Sequence, residues 1–131
     1  MIAPRVYADL IGKPFVEGGR GPNAYDCVGL AMVFQERLGA ELPAYVSDHT
    51  ELHRQLAVGG VFEECRRIDR PEPGCIVLLR SFDDGSRHIG VMVDAFRMLH
   101  TRRTAGAVIE VLHRSVWEKR VIGFYRAEVS A

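Results

Sequence analysis

The sequence predicts an α+β fold, with N-terminal helices packed on a mainly antiparallel sheet of about five strands. Three observations carry this. Apolar residues recur at helical spacing through the first part of the chain, as in Val28, Leu30, Ala31, Val33, Phe34 and Leu38. After Pro71, Pro73 and Gly74 the pattern changes to short, apolar, β-branched runs separated by turn residues. The composition, 47% hydrophobic and 26% charged over 131 residues, is that of one ordinary domain with a proper core, taken to span residues 1–131.

In chain order, Pro4 to Leu10 reads as a short helix, with the proline in the tolerated first turn. Gly12, Pro14, Gly18, Gly19 and Gly21 make a long loop. A helix runs from Cys27 to about Leu38 and ends at Gly39, a good residue for the left-handed position after a helix. Ser47 or Asp48 caps a second helix, with Glu51 placed for a capping box and Leu52 and Leu56 facing inward, and Gly59-Gly60 ends it. Strands are expected at residues 75–79, 88–93, 97–100, 107–112 and 121–126. Asp83-Asp84-Gly85-Ser86 and Asp94-Ala95 turn between them, Arg102 and Arg103 near Gly106 mark a hairpin tip, and residues 113–119 form a helical turn carrying Trp117.

Composition also excludes. Lys and Arg, 17 in all, balance 17 Asp and Glu, so no net field draws the chain to nucleic acid or to an anionic membrane surface. Three cysteines, Cys27, Cys65 and Cys75, form no CxxC pair and argue against a disulfide framework or a structural zinc site. No run approaches the roughly 20 apolar residues of a membrane span, so no membrane insertion is expected. The N-terminus lacks the basic and apolar pattern of a signal peptide, so synthesis in the cytoplasm is expected. Nothing calls for a metal or an organic cofactor.

Cys27 carries the chemical interest. It opens a helix, where backbone N–H groups and the macrodipole favour an anion, and a thiol so placed ionises more easily than its usual value of about 8.5. The alternative is a small buried hydrophobe that happens to start a helix. A thiolate nucleophile needs a base, and the base needs an orienting group. Of five histidines, His49 and His53 sit at i, i+4 spacing, but Glu51 between them points to the far side, which suits a solvated helix face better than a metal site. His113 follows a strand and is expected exposed. His88 opens one strand and His100 ends the next, and antiparallel pairing across the turn at Asp94 brings them within reach of each other. They are either two surface histidines or the partners of Cys27.

Five segments then add up. Gly12-Lys13-Pro14-Phe15-Val16-Glu17-Gly18-Gly19, Asp26-Cys27-Val28-Gly29-Leu30, Pro73-Gly74, His88-Ile89-Gly90-Val91 and Leu99-His100-Thr101 resemble, in order and spacing, the NlpC/P60 family, and Val121 to Arg126 is similar to its last strand. The resemblance implies a papain-like cysteine peptidase acting on peptidoglycan stem peptides, at the amide between D-γ-glutamate and a diamino acid such as meso-diaminopimelate. It implies Cys27 as nucleophile, His88 as base and later acid, and His100 as the residue orienting His88. Asp26 either binds the free amine of the peptide or caps the Cys27 helix, and Phe15, Tyr25 and Val28 fall with it at the substrate side.

The chain departs from the family in having Val28 after the cysteine where Ser is usual, Phe15 where Tyr is usual, and Cys75 where Asp follows Pro-Gly. The Asp-Cys-Val-Gly-Leu form resembles small members from phage and prophage tail clusters, which implies phage tail proteins as partners and a way to the cell wall without an export signal. Two other functions stay open: a tail assembly or binding module with little activity, and transfer of an acyl group to an amine through the same residues. Cys65 and Cys75, in or beside strands, are expected to react more slowly than Cys27.

Overall fold

A computed structural model describes residues 1–41, 65–82 and 85–129. The strands are β1 (Ala40–Glu41), β2 (Arg66–Ile68), β3 (Ile76–Arg80), β4 (Arg87–Met92), β5 (Arg97–Arg102), β6 (Gly106–Val111), β7 (Val121–Arg126) and β8 (Glu128–Val129). Six of them form one antiparallel sheet in the order β2–β7–β3–β4–β5–β6, and β1 pairs separately with β8. The five expected strands are all present to within two residues at either end, and β2 extends the sheet beyond β7. The second helix and the His49/His53 pair lie outside the described residues, as do Asp83 and Asp84. Among the described helices none is long and apolar enough to cross a membrane.

The α-helix among the described residues is α1, Cys27–Arg37. Its start is set by Asp26, whose side chain accepts from the Gly29 N–H at 2.7 Å. Its end is set by Gly39, at φ 80°, whose N–H returns to the Glu36 carbonyl. The single N-terminal helix expected over residues 4–10 is instead two 3-10 turns, Pro4–Val6 and Ala8–Leu10. Tyr7 between them takes φ −134°, which no continuous helix allows, and its buried ring stacks on Phe34 of α1. The helical turn expected around Trp117 is a 3-10 turn at Glu118–Arg120.

The sheet is covered on both faces, by the helices on one and by the connection between β6 and β7 on the other. On one side α1 and the N-terminal turns bury Leu30, Phe34 and Leu10 against Ile76, Leu78, Ile89, Val91, Leu99 and Tyr125. On the other, Val77, Leu79, Met92 and Met98 pack beneath Leu112 and Trp117. This explains β3, whose run Ile76-Val77-Leu78-Leu79 is fully buried without alternation because both its faces meet apolar partners.

Two local devices position the site. Asp94 accepts the Phe96 and Arg97 N–H groups and the Arg97 side chain, which closes the β4–β5 turn and sets the register Val91 opposite Leu99, Met92 opposite Met98. The loop after Leu10 is tied to β6 by Gly12 N–H to the Ala107 carbonyl and Ala107 N–H to the Lys13 carbonyl, which holds Phe15 beside the end of β5. Gly106 permits that approach, since a β-carbon there would run into the Lys13 carbonyl.

Candidate active site

The glycine-rich loop folds back on itself before delivering Cys27. Phe15 and Arg20 each bridge to Tyr25, and the Asp26 N–H donates to the Gly19 carbonyl at 3.1 Å. Gly29 allows the loop to lie against the first turn of α1, because a β-carbon on it would overlap the Gly19 carbonyl oxygen. This is the physical reason for glycine two residues after the cysteine.

Asp26 is wholly buried. One carboxylate oxygen accepts from Gly29 N–H and from the Arg20 guanidinium, each at 2.7 Å, and the other from Gly18 N–H at 3.1 Å. Of its two expected roles, helix cap and amine binder, the structure displays the cap, with the charge held by Arg20. Tyr25 and Val28 are likewise core residues, 4% and 1% exposed, packed with Leu30 and Phe34. Tyr25, Asp26 and Val28 do not line the cleft; Phe15 does.

The cleft lies where the start of β4 and the end of β5 meet the N-terminus of α1. It is walled by Cys27, His88, Phe15, Glu17, Thr101 and Trp117, with Ser81, Ser86 and three arginines, Arg87, Arg102 and Arg103, at its margins. Cys27 arrives from the helix-covered face of the sheet. His88 and His100 stand on the other face, with Met92 and Met98, and Gly90 lies opposite His100 with Val77 packed close over it. His88 Nε2 lies 3.0 Å from His100 Nδ1, and the rings meet edge to face at 70°. The histidines thus touch, and His88 shares the cleft with Cys27.

Three residues that the sequence did not single out complete the cluster. Glu110 on β6 lies 3.0 Å from His100 Nε2 and 3.2 Å from Arg102 Nη1. Trp117 stacks over His88 and meets His100 edge on, with the Arg102 guanidinium 5.7 Å from its ring centre. Thr101 places a hydroxyl in the wall that is buried and makes no hydrogen bond among the described residues. Glu110 had one legible signal, a lone acid in the apolar strand Ala107-Val108-Ile109-Glu110-Val111, but its partner emerges only from the register Met98 opposite Glu110, which sets it diagonal to His100.

Burial pushes the His100 imidazole below its usual value, more than the neighbouring Glu110 raises it, and His100 is fully buried and neutral at pH 7. The other thiols sit elsewhere. Cys75 is completely buried and its pKa is pushed up to about 11 by loss of solvent, and Cys65 is buried beside β2.

The sequence pattern of the NlpC/P60 family matches residues 12–126. The chain is 26% identical over 118 residues to the "Probable endopeptidase p60" of Listeria monocytogenes, and 25% identical over 116 residues to that of Listeria grayi. Each alignment covers 88% of this chain but only 22% and 20% of the Listeria proteins, so the chain spans about a fifth of these curated relatives. The fold is similar to that of an NLP/P60-family protein of Staphylococcus aureus, with TM-score 0.68 and 20% identity over 96% of this chain and 40% of that one. It is also similar to the NlpC/p60 domain of the peptidoglycan hydrolase SagA, with TM-score 0.60 and 14% identity over 93% of both. With the family pattern running from the loop that carries Phe15 through the helix of Cys27 to the end of β7, the chain belongs to the NlpC/P60 family.

Proposed function

We propose that the chain is a peptidoglycan hydrolase, a cysteine endopeptidase that cuts stem peptides at the D-γ-glutamyl–diamino acid amide. The observation that carries it is the convergence on one cleft of Cys27, first residue of α1, and His88, whose ring is held through Nε2 by His100 at 3.0 Å. In this reading His88 takes the thiol proton through its other ring nitrogen, and Cys27 Sγ attacks the amide carbonyl. The Cys27 N–H and the positive end of α1 stabilise the oxyanion. The C–N bond breaks as His88 passes its proton to the leaving amine. Water, deprotonated by His88, then cleaves the thioester, releasing the carboxylate and restoring the thiol.

The cleft margin suits such a substrate. Arg87, Arg102 and Arg103 bring positive charge to the margin, with Arg102 paired to Glu110, and stem peptides carry free carboxylates. Val28, where Ser is usual in the family, is a core residue, so the change takes no hydroxyl from the cleft wall. Association with a phage tail rests on the Asp26-Cys27-Val28-Gly29-Leu30 form alone and is tested by co-purification with tail proteins.

The experiment is digestion of purified peptidoglycan and of isolated stem peptides, with products read by mass spectrometry, for wild type, Cys27→Ala and His88→Ala. Expected are products ending in D-γ-glutamate from wild type, and a loss on the order of 10³-fold or more in either variant. Wild-type turnover no higher than that of Cys27→Ala overturns the hydrolase reading. Products joined to an added amine instead of ending in a carboxylate establish transfer in place of hydrolysis.

A further inference from the structure

The two oxygens of Glu110 are committed to different partners. Oε2 faces His100 Nε2 at 3.0 Å and Oε1 takes a hydrogen bond from Arg102 Nη1 at 3.2 Å. Burial works to raise the Glu110 carboxyl, but the neighbouring His100, and hydrogen bonds from His100, Arg102 and Trp117, leave it net lowered. It is therefore ionised near neutrality and only accepts. We infer that Glu110 is a positioning residue, which acts through His100 to select the imidazole form that lets His88 donate from Nε2 and keep Nδ1 for the Cys27 proton. This rests on the hydrolase reading above for its purpose, though not for its geometry.

The chain of donors has one solution. An ionised Glu110 requires the proton of His100 on Nε2. A buried, neutral imidazole has one proton, so His100 Nδ1 is left as a lone pair. The contact between His88 Nε2 and His100 Nδ1 at 3.0 Å then needs its proton from His88. That holds whether His88 is neutral or an imidazolium, so His100 is an acceptor toward His88 at both ends of the catalytic cycle. The groups packed around His100 are consistent: His88 from β4, Arg102 from β5, Glu110 from β6, and the uncharged ring of Trp117.

Arg102 makes the inference testable, because it can only donate. In Glu110→Gln the amide keeps its oxygen toward Arg102 and turns its NH₂ to His100 Nε2. His100 must then carry its proton on Nδ1, and His88 is forced to accept at Nε2 and to hold its proton on Nδ1, facing the wrong way. Removing the arginine as well, in Arg102→Met with Glu110→Gln, lets the amide rotate and restores the first arrangement.

The test is long-range ¹H–¹⁵N spectroscopy of the histidine side chains in ¹⁵N-histidine-labelled protein at pH 7, which needs no substrate. Expected is an Nε2–H form for His100 in wild type, an Nδ1–H form in Glu110→Gln, and return to Nε2–H in the double variant. In parallel, kcat on stem peptide should fall about 10–100-fold in Glu110→Gln, as for loss of an outer-sphere partner, with KM changed less than about threefold. An Nδ1–H form of His100 in wild type overturns the inference even if the variant fails to fold. So does an unchanged His100 in a folded Glu110→Gln. If wild type turns over no peptide yet its His100 switches as described, the hydrolase reading falls and the relay stands.

Discussion

Asp26 offers the sharpest test of how the site is held, because the sequence allowed it two roles with different consequences. Its carboxylate is fully buried and takes three hydrogen bonds, from Gly29 N–H, Gly18 N–H and Arg20, and the Arg20 side chain is itself only 8% exposed. Asp26→Ala removes a helix cap, about 1 kcal/mol, and takes the carboxylate from the nearly buried Arg20 guanidinium, which keeps the Gly19 carbonyl, for about 2–4 kcal/mol more. A domain of this size has about 5–15 kcal/mol in total, so the variant is expected to lose about 3–5 kcal/mol and unfold at much lower urea. Asp26→Asn keeps an oxygen for Gly29 and Arg20, which share it, but loses the charge and puts an NH₂ toward Gly18 N–H, and should fall in between. A double-mutant cycle with Arg20→Met isolates the pair, with a coupling of about 2 kcal/mol or more expected for two buried charges. Urea unfolding followed by circular dichroism reads all five proteins, wild type included. A loss under about 1 kcal/mol with coupling below about 0.5 kcal/mol, the behaviour of an exposed pair, would refute the reasoning. A raised KM with unchanged stability would give Asp26 to the substrate amine instead.

Three further outcomes are expected. Thr101→Val, which removes an unpaired buried hydroxyl from the cleft wall, should stabilise by about 1 kcal/mol in urea unfolding while raising KM; a loss of stability would mean the hydroxyl is bonded. Cys75, with its pKa near 11, should be carboxymethylated about 100-fold more slowly at pH 7.5 than an exposed thiol in mass-spectrometric peptide mapping, and modification at an ordinary rate would contradict its burial. Stability should fall on acidification in two stages. Below the ordinary histidine value of 6.5 the unfolded chain binds a proton that native His100, with its lowered pKa, does not, so stability declines with falling pH. Glu110, Asp9 and Asp94 also have lowered values, so what they contribute is present above the ordinary 4.5 and 3.8 and is lost as pH falls through their folded values. Urea midpoints that rise from pH 7.5 to pH 5 would contradict these signs.

Much of the fold was legible because it is written locally. The strands from β3 to β7 are apolar, β-branched runs bounded by Pro-Gly, Asp or Gly turns, and α1 is framed by Asp26 and Gly39. β2 was not legible. Arg66-Arg67-Ile68 is short and mostly exposed, and it is a strand because β7 offers an edge, not because of its own pattern. The two 3-10 turns read as one helix since Val6, Tyr7 and Leu10 suit either, and packing of Tyr7 on Phe34 decides. At the site, Cys27, His88 and His100 were visible as residue types in order. Asp26, Tyr25 and Val28 sit next to the thiol in sequence, yet helix geometry turns them into the cap and the core. Glu110 and Trp117 reach the histidines only across strand register and through a non-local loop, which no single-strand pattern encodes.

The most direct test of the Cys27–His88 pairing is the rate of iodoacetamide alkylation at each cysteine of native protein at pH 7, in wild type and His88→Ala, with peptide mapping. The site described here predicts selective modification of Cys27, at least about tenfold faster than Cys65 or Cys75, and a fall to the rate of an unassisted thiol in His88→Ala. Modification of Cys27 that is indifferent to His88→Ala, or that follows Cys65, would contradict it.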